Sequence, residues 1–305
     1  MGLSRRHFLA VSAVVAMLPQ APRAAENVGF YRIGQALGAP ASIRLDHPDA
    51  ESIAARCAAE ITRLDNILSL YQPDSAVTRL NRDGSLEAPP FELLDCLSLA
   101  GRVWEASGGR FDVTVQPLWA LWAEAAAKGR RPDQAELQAA RARTGWEKVR
   151  FDENRIELAP GMALTLNGLG QGYVADSIAR LLQQEGLDNI LIDTGEFRAI
   201  GGDPAGGDWP ITLESGARIG LKARGLATSS PFGTTFDGQR RDGHILDPST
   251  GAPVISKWQS ISISDASAAL ADALATAACL TRTQEELDQL IGAFPAARIE
   301  AAQPA

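Results

Sequence analysis

Asp272 and Thr276 lie four residues apart in Ala271-Asp272-Ala273-Leu274-Ala275-Thr276. On a helix, positions i and i+4 share one face, and the alanines around them leave that face open. A carboxylate and a hydroxyl so placed suit a hard cation such as Mg²⁺, which takes oxygen ligands and fills its shell with water and substrate phosphates. An ordinary polar pair near a helix end has the same pattern. His244, in Asp242-Gly243-His244-Ile245-Leu246-Asp247-Pro248, is the one well-placed histidine, since His7 falls in a leader-like N-terminus and His47 in a His-Pro-Asp turn. An imidazole there can act as a general base near neutral pH or as a satisfied structural group. Gly168, Gly170 and Gly172 put three glycines into five residues. Ahead of a helix they allow close approach to free N–H groups that favour phosphate, although a tight crossover needs no more. The spacing is not Gly-x-Gly-x-x-Gly, and no Gly-x-Ser-x-Gly or Cys-x-x-Cys motif offers another mechanism.

The elements that must hold these residues are legible from periodicity. An apolar run ends at Leu166, the glycine turn follows, and Tyr173, Val174, Ile178, Leu181 and Leu182 recur at helical spacing. Residues 189–193 then form a buried strand. This strand–turn–helix–strand order predicts parallel pairing. Residues 41–45 alternate as a strand, and a long helix places Ile53, Cys57, Ile61, Leu64 and Leu68 on one face. A loop holds Tyr71 to Ser75. A second helix spans 90–106 and stops at Gly108-Gly109. Trp119 and Trp122 read as core, and the charged stretch 123–143 as an exposed helical excursion. Residues 149–151 and 156–158 predict a hairpin. Short strands fill 209–254, then a strand near Ile261, helices over 267–280 and 285–291, and a last strand near Arg298. Regular β–α alternation is absent, which favours an α+β fold with mixed or antiparallel sheets.

The 305 residues are 45% hydrophobic, enough for a substantial core, and carry a net charge of −8. Nothing basic invites nucleic acid. Arg5-Arg6, a short apolar run over 10–18 and a Pro- and Ala-rich stretch predict a twin-arginine signal over residues 1–24, with export to the periplasm. The run is too short to span a bilayer comfortably. Cys57, Cys96 and Cys279 show no metal spacing and read as buried small hydrophobes.

Seven motifs in order give the chain a resemblance to the FAD:protein FMN transferase (ApbE) family over residues 37–280. They are Tyr71-Gln72-Pro73-Asp74-Ser75 continuing to Leu80-Asn81, Phe111-Asp112-Val113-Thr114-Val115-Gln116-Pro117-Leu118 and Leu166-Asn167-Gly168-Leu169-Gly170-Gln171-Gly172-Tyr173. Residues 195–201, Ala227-Thr228-Ser229, the stretch from His244 to Pro248 with Gly251, and Asp272-Ala273-Leu274-Ala275-Thr276 complete the series. The resemblance implies one large T-fold-related domain over residues 25–305. It also implies an activity: with Mg²⁺ bound, FAD is cleaved, FMN joins a threonine hydroxyl of an acceptor flavoprotein, and AMP leaves. By position, Asp272, Thr276 and the carbonyl of Gly168 would hold Mg²⁺. Leu37, Tyr71, Arg110, Phe111, Asp112, Thr165, Gln171 and Leu246 would contact FAD, and His244 would deprotonate the acceptor. The membrane would be met only through a membrane-bound acceptor.

The family usually has Asp at Thr165, Lys or Glu at Gln171, Gly-Gly-Asp at Gly195-Glu196-Phe197, and Gly at Ser230. The Asn-Gly-x-x-Gln-Gly variant resembles branches that serve periplasmic respiratory flavoproteins. Two further readings remain open at this point: a hydrolase giving FMN and AMP, and a flavin-binding protein without catalysis.

Overall fold

The structure, a computed structural model, describes residues 28–238 and 241–305. The twin-arginine segment, with Arg5 and Arg6, lies outside the described residues. Strands β1 (Gly29–Ala36) and β2 (Ala39–Leu45) form a hairpin closed by Leu37-Gly38. Both turn residues have positive φ, +48° and +89°, the conformation of a type I′ turn, whose twist matches that of the flanking strands. Glycine takes it freely; for Leu37 it costs roughly 1–2 kcal/mol. Helix α1 (Ala50–Leu68) buries the predicted face of Ile53, Cys57, Ile61, Leu64 and Leu68. Its Asp65 accepts the Leu37 N–H at 2.9 Å, which ties the strained turn to the helix.

Helix α2 (Ala76–Asp83) follows the tyrosine loop, capped by Ser75, whose side chain accepts from Thr78 N. Its signal was Ser75 ahead of an apolar start. Strand β3 (Ser85–Glu87) and α3 (Phe91–Ala106) come next, then α4 (Gln116–Ala127) and α5 (Gln134–Arg141), the latter with a full capping box on Asp133 and Glu136. Strands β4 (Arg150–Phe151) and β5 (Arg155–Glu157) make the expected hairpin, extended by β3. Trp122 is buried as expected, but Trp119 is half-buried.

Helix α6 (Gly170–Gln184) leads to β6 (Ile190–Asp193) and β7 (Phe197–Ile200). The expected parallel pairing does not occur. Residues 163–166 join no sheet. Asn81 serves them as a partner, its side chain donating to Leu164 O and accepting from Leu164 N, and Thr165 N donates to Val113 O. Strand β6 pairs antiparallel with β2 and β7.

Strands β8 (Trp209–Thr212) and β9 (Arg218–Leu221) form a hairpin, followed by β10 (Gly225–Ser229) and the short pair β11 (Leu246–Asp247) and β12 (Ala252–Pro253). After β13 (Trp258–Asp265) come α7 (Ala268–Cys279), α8 (Gln284–Gly292) and β14 (Arg298–Pro304). Seven strands build one antiparallel sheet in the order β1-β2-β6-β7-β10-β13-β14. Its two faces follow the period-two rule. Ile190, Ile192 and Ala227 join the core under α1, α6 and α7, whereas Leu191, Phe197, Ala199 and Leu226 meet Trp209, Ile211 and Leu221 of the β8–β9 hairpin. The α+β expectation holds. Cys57, Cys96 and Cys279 are buried free thiols on α1, α3 and α7. Among the described residues no helix is long and apolar enough to cross a membrane.

Candidate active site

Helices α6 and α7 set the site. Gly172 leaves no room for a side chain, because a Cβ there would meet the Ala268 backbone at 2.3 Å. Asp176, one turn further on, caps α7 from outside. Its carboxylate accepts from Ala268 N at 3.0 Å, Ala269 N at 3.1 Å and Ser267 Oγ at 2.7 Å, and pairs with Arg198 Nε at 3.0 Å. The open N-terminus of α6 and the middle of α7 therefore face one cavity of about 540 Å³. All twelve residues named from the sequence line it: Leu37, Tyr71, Arg110, Phe111, Asp112, Thr165, Gly168, Gln171, His244, Leu246, Asp272 and Thr276.

At its floor, Asp272 is only 4% exposed and accepts one long bond, 3.4 Å, from Gly172 N. Burial pushes its carboxyl up to about 7. Thr276 Oγ1 lies 3.3 Å from Ser229 Oγ, and a Cβ on Gly168 would stand 3.3 Å from the same hydroxyl and 3.2 Å from the Phe111 ring. Carboxylate, hydroxyl and the Gly168 backbone thus converge. Among the described residues no three His, Cys, Asp or Glu side chains gather as metal ligands, so a cation here must draw on hydroxyl and carbonyl oxygen as well. A buried carboxylate with no basic partner and a hard-oxygen donor set fits Mg²⁺.

The walls are built from loops. Tyr71 is 36% exposed, and burial of its ring end raises the pKa of its hydroxyl against a bond with the Asn167 side chain that lowers it. Its ring lies against Gly38, whose positive φ and missing side chain make the space. Leu37 covers Gly170. Phe111 N donates to Ser107 Oγ, and Arg110 pairs with Glu286 at 2.6 Å. Asp112 has both oxygens engaged: Oδ1 accepts from Thr114 N and Oγ1, and Oδ2 from Trp146 N. Burial raises its pKa against those bonds. Gln171 packs against Gly195, and its carbonyl accepts from Thr194 Oγ1 at 2.9 Å. Trp119 and Phe236, with ring centroids 5.3 Å apart, add an apolar wall. Leu246 packs on Leu118 and Trp122, and Trp122 Nε1 donates to Gly251 O, fastening the β11–β12 hairpin to α4.

His244 is half-buried. The Thr234 carbonyl accepts from its backbone N–H at 3.1 Å and sits 3.0 Å from Nδ1. A carbonyl only accepts, so Nδ1 carries the proton and Nε2 is the basic atom of the neutral ring. Desolvation lowers the imidazole pKa below 6.5, keeping it neutral at pH 7.

One residue entered the sequence reading only as a departure from the family pattern, not as a site residue. Glu196, 8% exposed, lines the same cavity and accepts from Thr228 N at 3.2 Å. Burial, with the charge of Asp272, raises its pKa well above the usual carboxylate value. Its place in the 195–201 motif marked the turn, but nothing in its spacing tied that carboxylate to Asp272.

A family model described as the ApbE family matches residues 37–295. The chain belongs to the ApbE family. It is 29% identical over 291 residues to the FAD:protein FMN transferase of Vibrio cholerae, covering 89% of this chain and 86% of that one. It is 27% identical over 269 residues to the enzyme of the same name from Salmonella typhimurium, covering 80% and 75%. Among solved structures, the apo flavinyl transferase ApbE of Pseudomonas stutzeri superposes with a TM-score of 0.77 at 28% identity, over 87% and 88% of the two chains. The ApbE protein of Thermotoga maritima gives 0.79 at 25% identity, over 92% and 97%.

Proposed function

We propose that this ApbE-family protein is a Mg²⁺-dependent FAD:protein FMN transferase, moving FMN from FAD to a threonine hydroxyl of an acceptor flavoprotein and releasing AMP. One observation carries the reading: a single cavity collects the buried Asp272, the hydroxyl of Thr276, the Gly168 backbone and a neutral His244 with Nε2 basic. The names of its relatives support the same activity.

Asp272, Thr276 and the Gly168 carbonyl would hold Mg²⁺, which supplies charge neutralisation for the diphosphate. The glycines at 168–172 let the backbone approach the phosphates at a helix N-terminus. Tyr71, Phe111 and Leu37 provide apolar contact for a flavin, with Arg110, Asp112, Thr165, Gln171 and Leu246 completing the wall. His244 Nε2 accepts the proton of the acceptor hydroxyl as its oxygen bonds to the FMN phosphorus. The bond from that phosphorus to the bridging oxygen breaks, and AMP leaves with the oxygen. A positioned imidazole contributes about 10²–10⁴-fold to such a step.

Export to the periplasm by the twin-arginine route belongs to the same reading, supported by Arg5-Arg6 and the short apolar run. The test is incubation with FAD, Mg²⁺ and a candidate acceptor domain, followed by a denaturing gel. Flavin fluorescence should remain on the acceptor. AMP and free FMN without any labelled acceptor would make the protein a hydrolase, and FAD bound but uncleaved would make it a binding protein.

A further inference from the structure

Glu196 and Asp272 are two carboxylates more than nine-tenths buried against the same cavity. Each has one oxygen with a backbone partner, Thr228 N for Glu196 Oε2 and Gly172 N for Asp272 Oδ2. Among the described residues neither second oxygen accepts a hydrogen bond, and no Lys, Arg or His forms an ion pair with either group. Buried charges are normally paired or bound to metal. Strand β10 meets both neighbourhoods: Thr228 N holds Glu196, and the next residue, Ser229, meets Thr276, one turn along α7 from Asp272. The turn that carries Glu196 is also tied to the first turn of α6: Thr194 Oγ1 donates to Gln171 O at 2.9 Å and lies 3.3 Å from Glu196 O, and the next residue, Gly172, donates to Asp272.

We propose that Glu196 is a second carboxylate of the cation site, acting with Asp272 on the same ion. The proposal rests on the reading of Asp272 as a cation ligand. With the ion bound both carboxyl groups give up their protons, and a floor with two negative charges suits a divalent ion rather than a monovalent one.

The test is titration of the FAD-free protein with Mn²⁺, following free Mn²⁺ by electron paramagnetic resonance, beside thermal melts without metal. Glu196→Gln keeps the bond from Thr228 N and removes the charge. It should weaken Mn²⁺ binding by at least the roughly 10–100-fold that follows loss of a group merely supporting a metal's ligands, and leave the metal-free melt unchanged or higher. Glu196→Asp retains charge but draws it back, and should fall between. Wild-type affinity in both variants, with binding lost in Asp272→Asn, would overturn the role of Glu196 and leave Asp272 as ligand. Absence of Mn²⁺ binding in the wild type would overturn the cation reading itself.

Discussion

Gly172 and Ala268 touch backbone to backbone: a Cβ on the glycine would stand 2.3 Å from the Ala268 carbonyl oxygen. This contact sets the distance between the helix that opens on the cavity and the helix that carries Asp272 and Thr276. Gly172→Ala must push the helices apart, and overpacking of this kind costs about 1–3 kcal/mol. Urea unfolding should show the loss. Gly292→Ala is the control, because nothing lies within 4 Å of its added methyl; it should be neutral or stabilising. Equal effects at the two sites would refute the helix-spacing argument.

Asp176 is the second fastener. Replacing an N-cap acceptor by Ala typically costs about 0.5–2 kcal/mol, and Asp176→Ala also leaves Arg198 without its carboxylate. The variant should melt earlier and bind Mn²⁺ more weakly, since the first turn of α7 loses its anchor. Asp176→Asn, which keeps acceptor oxygen but no charge, should recover part of both. Unaltered melting in Asp176→Ala would show that the cap is redundant.

His244→Ala should keep FAD binding and lose most FMN transfer. With Mg²⁺ saturating, so that Asp272 stays ionised, wild-type transfer should hold from pH 8 to 6.5 and decline only as pH falls through the lowered imidazole pKa. Folding responds with the same sign. The unfolded ring takes up a proton near 6.5 and the folded ring resists it, so the stability from this group is present above 6.5 and lost below. Peptide mass of the labelled acceptor, beside FAD bound by the enzyme, checks the first claim. Wild-type transfer in the variant would make the histidine structural.

Asp272 gives the opposite slope. Its folded pKa is raised from 3.8 to about 7, so the contribution is full below 3.8 and lost as pH climbs to about 7. Mg²⁺ should relieve this loss, and its gain in melting temperature should be larger at pH 8 than at pH 5. Asp272→Asn should flatten the dependence and abolish the Mg²⁺ response. A melting temperature indifferent to Mg²⁺ at both pH values would count against this floor as the metal site.

Replacing Arg5 and Arg6 together by Lys should leave an uncleaved precursor in the cytoplasm. Cell fractionation and the mass of the N-terminal peptide report the outcome, and normal export of the double variant would remove the twin-arginine proposal.

Much of the site was legible because its residues sit at marks the chain must make openly. Asp272 and Thr276 are spaced for one helix face, Gly168 to Gly172 announce a helix start, and His244 stands nearly alone among histidines. What stayed hidden depends on partners distant in sequence. Strand β6 pairs with β2, some 150 residues earlier, so the local strand–turn–helix–strand pattern pointed to the wrong parallel pairing. Asp112 sits in a motif read as flavin-facing, and its carboxylate is spent on Thr114 and Trp146. Trp119 counts as core by type, yet the fold turns it to the cavity wall. Glu196 becomes notable only when β6 and β7 bring it over α7.

The three thiols have a consequence for how the chain is made. Burial pushes Cys57 up to about 12 and raises Cys96 and Cys279 as well. Almost none exists as thiolate at neutral pH, the form that attacks disulfides. Each is sealed into a different helix, and Cys279 donates to Ser229 O within the packed interior. No disulfide has to form for the chain to reach this fold. The fold is held by packing instead of cross-links, and its thiols are kept back from the disulfide chemistry that an oxidising compartment invites.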